Sequence, residues 1–250
     1  MANPFSTESL VPNWIIASEI LKGDTPGHEF HGNQYQTVAS GSTASGTTRE
    51  AHRIAGLLQN RAEKNEPEIS REIRESCQQF GGTQIKPEYS VKGAGSIERK
   101  LILDSTEYLD TPTGTVQAAA ANMGDTVRYT IQYPTDKFTD GVSKTLADFK
   151  TEGFEAVKVK NFFNSDPQNS YRGINCVFRD TASNQLFEVQ FHTPESGDMV
   201  SQVHPMYESA RLIAPSTPEY ATAQQQMISM WQTVPIPAGV ESIGKLSVKR

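Results

Sequence analysis

The chain has 250 residues, 36% of them hydrophobic and 21% charged, with a net charge of -6 at pH 7. That length suits one sizeable α/β domain with extensions or two small ones. The charge argues against a broad electrostatic grip on duplex nucleic acid, and the low hydrophobic share indicates that part of the chain does not pack. Two cysteines, Cys77 and Cys176, make no disulfide framework and lack metal-ligand spacing. The first fourteen residues carry neither a basic lead nor an apolar run, and no stretch approaches a bilayer span. A soluble, cytoplasmic protein without a membrane partner is expected.

Residues 1–47 read as a flexible or docking segment. A short amphipathic patch around Trp14, Ile15, Ile16, Ile20 and Leu21 gives way to Gly, Ser, Thr, Asn and Gln, ending in ASGSTASGTT. Within it, GHEFHGNQY sets His28 and His31 three apart beside Glu29, too few ligands for a metal site. The same nine residues resemble a short segment of tailed-phage structural proteins, a hint of phage origin.

From Thr48 the pattern turns helical. Thr48 caps, Glu50 follows in the first turn, and Ile54, Leu57 and Leu58 line one side. Pro67 is expected to start a second helix that stops at Gly81-Gly82. No His-Asp dipeptide occurs, so a metal phosphohydrolase of that type has no footing. Further on, residues 95–109 suit a helix, GDTVRYTIQYP a strand beginning near Asp125, and SKTLADFKTEG a helix. AVKVKNFF, YRGINCVFRD and LFEVQFHT suit strands, residues 201–213 a helix, and Ser216 to about Trp231 a last helix. Strands mixed with crossover helices imply an α/β or α+β fold, with a mixed sheet flanked by helices and antiparallel neighbours at its end. The domain is placed at 48–233, with a tail over 234–250.

Five islands could carry chemistry. In SVKGAGSIERK, Lys92, Ser96 and Lys100 would lie along one helix face beside two glycines, either a phosphate cradle or an ordinary solvated basic face. GDTVRY and FEVQFHT each put one carboxylate at a strand, Asp125 and Glu188. Neighbouring strands could pair them around Mg²⁺, and each also has a plain reading as a turn residue or a wet-face residue. Tyr171, beside Arg172 in NSYRGIN, could stack on a base or anchor its loop to the core. In FEVQFHT, Phe187, Val189 and Phe191 alternate with Glu188, Gln190 and His192, so three polar groups share a face that either is wet or lines a site.

In this order and roughly this spacing, VKGAGSIERK, DTVR, KVKNFF, NSYRGIN and FEVQFHT resemble the synthetase domain of the RelA/SpoT family of (p)ppGpp pyrophosphokinases, over about residues 50 to 213. The resemblance implies a nucleotidyltransferase-like fold and transfer of pyrophosphate from ATP to the 3′-hydroxyl of a nucleotide acceptor. It implies that Asp125 and Glu188 hold Mg²⁺, with Glu188 also helping to deprotonate the hydroxyl. Lys92, Ser96, Lys100 and Arg128 would receive the ATP phosphates. Tyr171 would stack on the acceptor base, with Asn169, Lys160, Arg172, Gln190 and His192 nearby.

Three positions depart from the family pattern. Ser90 stands where a basic residue is usual, Asn175 replaces the His of NGYRSxH, and His192 replaces the Arg of EVQIRT. The last two lie towards the acceptor, leaving a guanosine nucleotide (GDP or GTP), an adenosine nucleotide or the 3′ end of tRNA as candidates. A growth-inhibiting toxin restrained by an antitoxin or immunity protein is one reading. A catalytically inactive nucleotide-binding or phage structural protein is another.

Overall fold

The computed structural model describes residues 41–105, 115–163, 171–210, 213–244 and 246–247. The expectations for residues 1–40 and for Asn169 lie outside this set. The elements, in chain order, are α1 (Gly41–Gln79), β1 (Thr83–Ile85), α2 (Ala94–Ser105), α3 (Thr115–Asn122), β2 (Val127–Gln132), α4 (Phe138–Thr151), β3 (Phe154–Asn161), β4 (Ile174–Asp180), β5 (Leu186–His192), α5 (Pro194–Ala210), α6 (Pro218–Trp231) and β6 (Leu246–Ser247). The strands form one sheet in the order β1-β2-β5-β4-β3-β6. β2 and β5 run parallel and every other neighbouring pair is antiparallel. The expected α+β architecture, a mixed sheet flanked by helices, is what the chain adopts.

Each central strand is two-faced. Val127, Tyr129 and Ile131 of β2, Ile174, Cys176 and Phe178 of β4, and Phe187, Val189 and Phe191 of β5 form one apolar face. α1 covers it with Ala62, Ile69, Ile73 and Cys77, and α4 with Phe138, Val142 and Phe149. Burial of this area supplies the main stabilisation. A second cluster joins α5 and α6 through Met199, Val203, Tyr207, Met227 and Trp231, with Tyr171 among them.

The strand periodicity places the other face just as firmly. β3 would break it, because Ala156, Lys158 and Lys160 alternate in step. The register shifts between Ala156, opposite Phe178, and Lys158, opposite Val177. The extra residue, Val157, lets Ala156 pack on the core while Lys158 and Lys160 turn to the polar face.

Several elements differ from the sequence expectation. α1 is a single helix running through Pro67 rather than two. A proline inside a helix removes one hydrogen bond and costs about 3 kcal/mol. Here Ala62 before it and Ile69, Ile73 and Cys77 after it enter the same core, which offsets that cost. The helix also starts at Gly41, inside the stretch of linker composition, and stops as expected at Gly81, whose φ of 73° suits glycine. α3 and the three-residue β1 were not foreseen. α5 and α6 were, with α5 starting earlier, at Pro194.

Candidate active site

The polar face of the sheet is built in two rows. Lys158 on β3, Val177 on β4, Glu188 on β5 and Arg128 on β2 stand opposite one another, and so do Lys160, Asn175, Gln190 and Thr130. Glu188, Arg128, Asn175 and Gln190 are all buried. The face is not merely wet.

Asp125 sits two residues ahead of β2. Gly124 is needed before it, since a Cβ there would lie 2.7 Å from Val177 Cγ1. Opposite, Ser90 to Lys92 run along the start of β2. The Lys92 amide donates to the Thr126 carbonyl at 3.0 Å, the Arg128 amide donates to the Ser90 carbonyl at 2.8 Å, and Val91 bridges Val127. This pairing delivers the Lys92 ammonium to Asp125 Oδ2 at 2.8 Å, and Lys100 from α2 reaches the same oxygen at 3.3 Å. Lys92 therefore precedes α2 rather than sharing its face with Ser96 and Lys100. Ser96 accepts a hydrogen bond from Arg99 at 2.9 Å, and the Ala94 amide at the start of α2 is capped by Gln59 Oε1 at 2.9 Å.

The two carboxylates are driven apart electrostatically. Burial alone would raise Asp125, but Lys92, Lys100 and Arg128 outweigh it and hold the group well below the usual carboxylate range. Glu188 is pushed up to about 7, first by burial and then by the negative charge of Asp125. Asp125 is held as an anion, and Glu188 ionises less readily than an ordinary glutamate.

Asp125 Oδ1 is buried without a hydrogen-bond partner. With the Glu188 carboxylate it offers hard oxygen donors of the kind Mg²⁺ takes. Among the described residues no group of three His, Cys, Asp or Glu side chains gathers. A metal held by these two residues would therefore complete its shell from phosphate oxygens and water.

Ser90, at the position where a basic residue was expected, is buried and donates to Glu66 Oε1 of α1 at 2.7 Å. It anchors the Lys92 segment to α1 next to Pro67.

The residues expected on the acceptor side depart further from expectation. Tyr171 is fully buried, its ring packed edge-on against Phe162 and His192 and tilted on Trp231. In this structure the ring is packed on its neighbours, as the anchoring reading expects. The Tyr171 hydroxyl donates to Asn175 Oδ1 at 2.8 Å and meets His192 Nε2 at 3.0 Å. His192 Nδ1 lies 2.9 Å from Ser196 Oγ. Burial lowers the His192 pKa to about 4, so the ring is neutral at pH 7 and cannot replace the charge of an arginine. Gly173 makes this tuck possible, because a Cβ there would lie 2.7 Å from the Tyr171 hydroxyl. Arg172 is half-buried at the entry to β4, and Lys160 is half-buried on the polar face opposite Asn175. The structure thus brings together Lys92, Lys100, Asp125, Arg128, Glu188 and Gln190. Ser96 lies half-buried on α2, bonded to Arg99, and Tyr171 lies in the core. The Glu66 anchor of Ser90 was not anticipated, and no local pattern in the sequence announces it.

No helix among the described residues is long and apolar enough to cross a membrane. No protein-family model and no curated protein matches the chain. Several solved structures are similar at low identity, among them the following three. The small alarmone synthetase 1 of Bacillus subtilis bound to its product pppGpp is 14% identical over 70% of this chain and 87% of that one, with a TM-score of 0.48. The small alarmone synthetase 2 of Bacillus subtilis is 15% identical over 71% and 89%, with a TM-score of 0.47. Protein smu.1046c of Streptococcus mutans UA159 is 16% identical over 70% and 91%, with a TM-score of 0.46.

Proposed function

We propose that the chain transfers pyrophosphate from ATP to the 3′-hydroxyl of a nucleotide acceptor, with Mg²⁺ held by Asp125 and Glu188. The observation that carries this reading is the pair of buried carboxylates with divergent proton affinities, ringed by Lys92, Lys100 and Arg128. Bound there, Mg²⁺ would neutralise phosphate charge.

Phosphoryl-type transfer needs little covalent help from a protein. Positioning and charge stabilisation supply most of the acceleration. Lys92, Lys100 and Arg128 hold and neutralise the triphosphate. Glu188 takes the proton from the acceptor 3′-hydroxyl. The oxygen then bonds to the β-phosphorus, the bond from the bridging oxygen to that phosphorus breaks, and AMP departs. The five motif islands, which resemble those of the RelA/SpoT synthetases, support the same reaction. A toxin role restrained by an antitoxin or immunity protein accords with it.

The test offers purified protein Mg²⁺ and γ-labelled ATP with GDP, GTP, AMP, ADP and deacylated tRNA in parallel, with Glu188→Gln as control. Label in a nucleotide that depends on Glu188 is the expected result. Label only in tRNA would move the acceptor to an RNA end. No label anywhere, from folded protein that binds ATP, would overturn the reading in favour of an inactive nucleotide-binding protein.

A further inference from the structure

Beside Glu188, two buried polar atoms on neighbouring strands have no partner: Asn175 Nδ2 and Gln190 Oε1. Asn175 and Gln190 stand directly opposite each other in the β4–β5 pairing, where Cβ atoms are about 4.5–5.5 Å apart. Each amide is turned by a bond on its other side. The Tyr171 hydroxyl donates to Asn175 Oδ1, which leaves the buried NH₂ without a partner. Gln190 Nε2 donates to Glu188 Oε2 at 3.0 Å, which leaves the buried carbonyl oxygen without a partner.

The face therefore presents one donor and one acceptor side by side. A carboxylate or phosphate would be repelled by the Gln190 oxygen, and an ammonium by the Asn175 amide. A hydroxyl satisfies both, accepting from Asn175 and donating to Gln190. The two ends of one amide are about 2.2 Å apart, so Gln190 Oε1 lies within about 5 Å of Glu188 Oε2. A hydroxyl on the carbon next to the reacting one falls in that interval.

We propose that Asn175 and Gln190 bind the 2′-hydroxyl of the acceptor ribose while Glu188 takes the proton from its 3′-hydroxyl, so that the chain selects ribonucleotides over 2′-deoxyribonucleotides. This rests on the pyrophosphate-transfer reading. Both atoms are buried in this structure, so binding of the sugar requires that they become accessible. A site built to hydrogen-bond a hydroxyl penalises a substrate that lacks it, because its own polar groups are then left unpaired.

The experiment compares GDP with 2′-deoxy-GDP and ADP with 2′-deoxy-ADP, by kcat/KM for label transfer and by calorimetric binding. The full-length chain and its Asn175→Leu variant are both used, each shown to be folded by circular dichroism. The expected result is a preference of about tenfold or more for the ribonucleotide, shrinking towards one in Asn175→Leu. Equal use of the two sugars, or a preference unchanged in Asn175→Leu, overturns the proposal. Ribose preference in binding without any transfer would keep the subsite and sink the reaction. Transfer without ribose preference would do the opposite, and neither transfer nor ribose preference in binding would sink both.

Discussion

Asp125 and Glu188 are buried to nearly the same extent, 2% and 3% exposed, yet their proton affinities are displaced in opposite directions. The difference is one of partners. Asp125 receives two ammonium groups on a single oxygen, whereas Glu188 has a neutral amide from Gln190 and an anion nearby.

If Glu188 is the base, turnover should rise through an acid limb with a midpoint near pH 7 in the absence of tightly bound Mg²⁺ and shift to lower pH as the metal concentration increases. A pH–rate profile checks this. Glu188→Gln should remove the limb and lower kcat by about 10²- to 10⁴-fold. An unchanged profile in that variant would assign the proton elsewhere.

Stability should respond to pH through two opposing groups. The folded pKa of Glu188 is raised from 4.5 to about 7, so its contribution is full below pH 4.5 and is lost as pH rises through about 7. The folded pKa of His192 is lowered from 6.5 to about 4, so its contribution is full above pH 6.5 and is lost as pH falls through about 4. Between pH 4.5 and 6.5 the two slopes oppose each other. His192→Gln should grow more stable on acidification across that window, and Glu188→Gln less stable. Denaturant melts at several pH values would show either slope, and parallel curves for both variants would contradict the assignment.

Asp125→Asn should be the most destabilising change at the site, by about 3–5 kcal/mol, because it strands the buried Lys92 ammonium. The double variant Asp125→Asn, Lys92→Met should recover part of the loss while remaining inactive. Urea unfolding measures both, and additive losses would mean that the two residues are not coupled.

Tyr171→Phe keeps the ring packing on Phe162 and Trp231 but removes the hydroxyl shared by Asn175 and His192. A loss of about 1–3 kcal/mol in stability is expected. A variant as stable as the parent would mean that the hydroxyl's bonds to Asn175 and His192 do not hold the fold.

Ser90→Ala should cost about 1 kcal/mol by freeing Glu66. It should raise the KM for ATP more than it lowers kcat, since Lys92 is held by the same segment. Steady-state kinetics with varied ATP separates the two effects.

Much of the sheet could be read from the chain because Phe187, Val189 and Phe191 alternate with Glu188, Gln190 and His192, and the same period recurs in β2 and β4. That period also located Glu188, whereas Asp125, two residues ahead of β2, was legible only through its motif. It could not reveal that Lys92 arrives by strand-like pairing with Thr126 rather than along a helix, since the pairing is settled by β2 and not by neighbours in sequence. Nor could it decide between the two readings of Tyr171, which turn on Trp231 and Phe162 in distant elements. The proline at 67 misled for a similar reason, because a local penalty was outweighed by burial on both sides of it.

The sheet order carries a consequence for how this protein comes into being. β5 is placed between β2 and β4 although it follows both in the chain, and its pairing with β2 is parallel and non-local. Such pairings close late, after the chain has met the entropy of a long loop. Lys92 and Asp125 precede β5 in the chain, so Glu188 is synthesised after them and joins them when β5 pairs between β2 and β4. The proposed chemistry is thus timed by folding itself, and a nascent chain that stops short of Leu186 carries the cations of the site without its base.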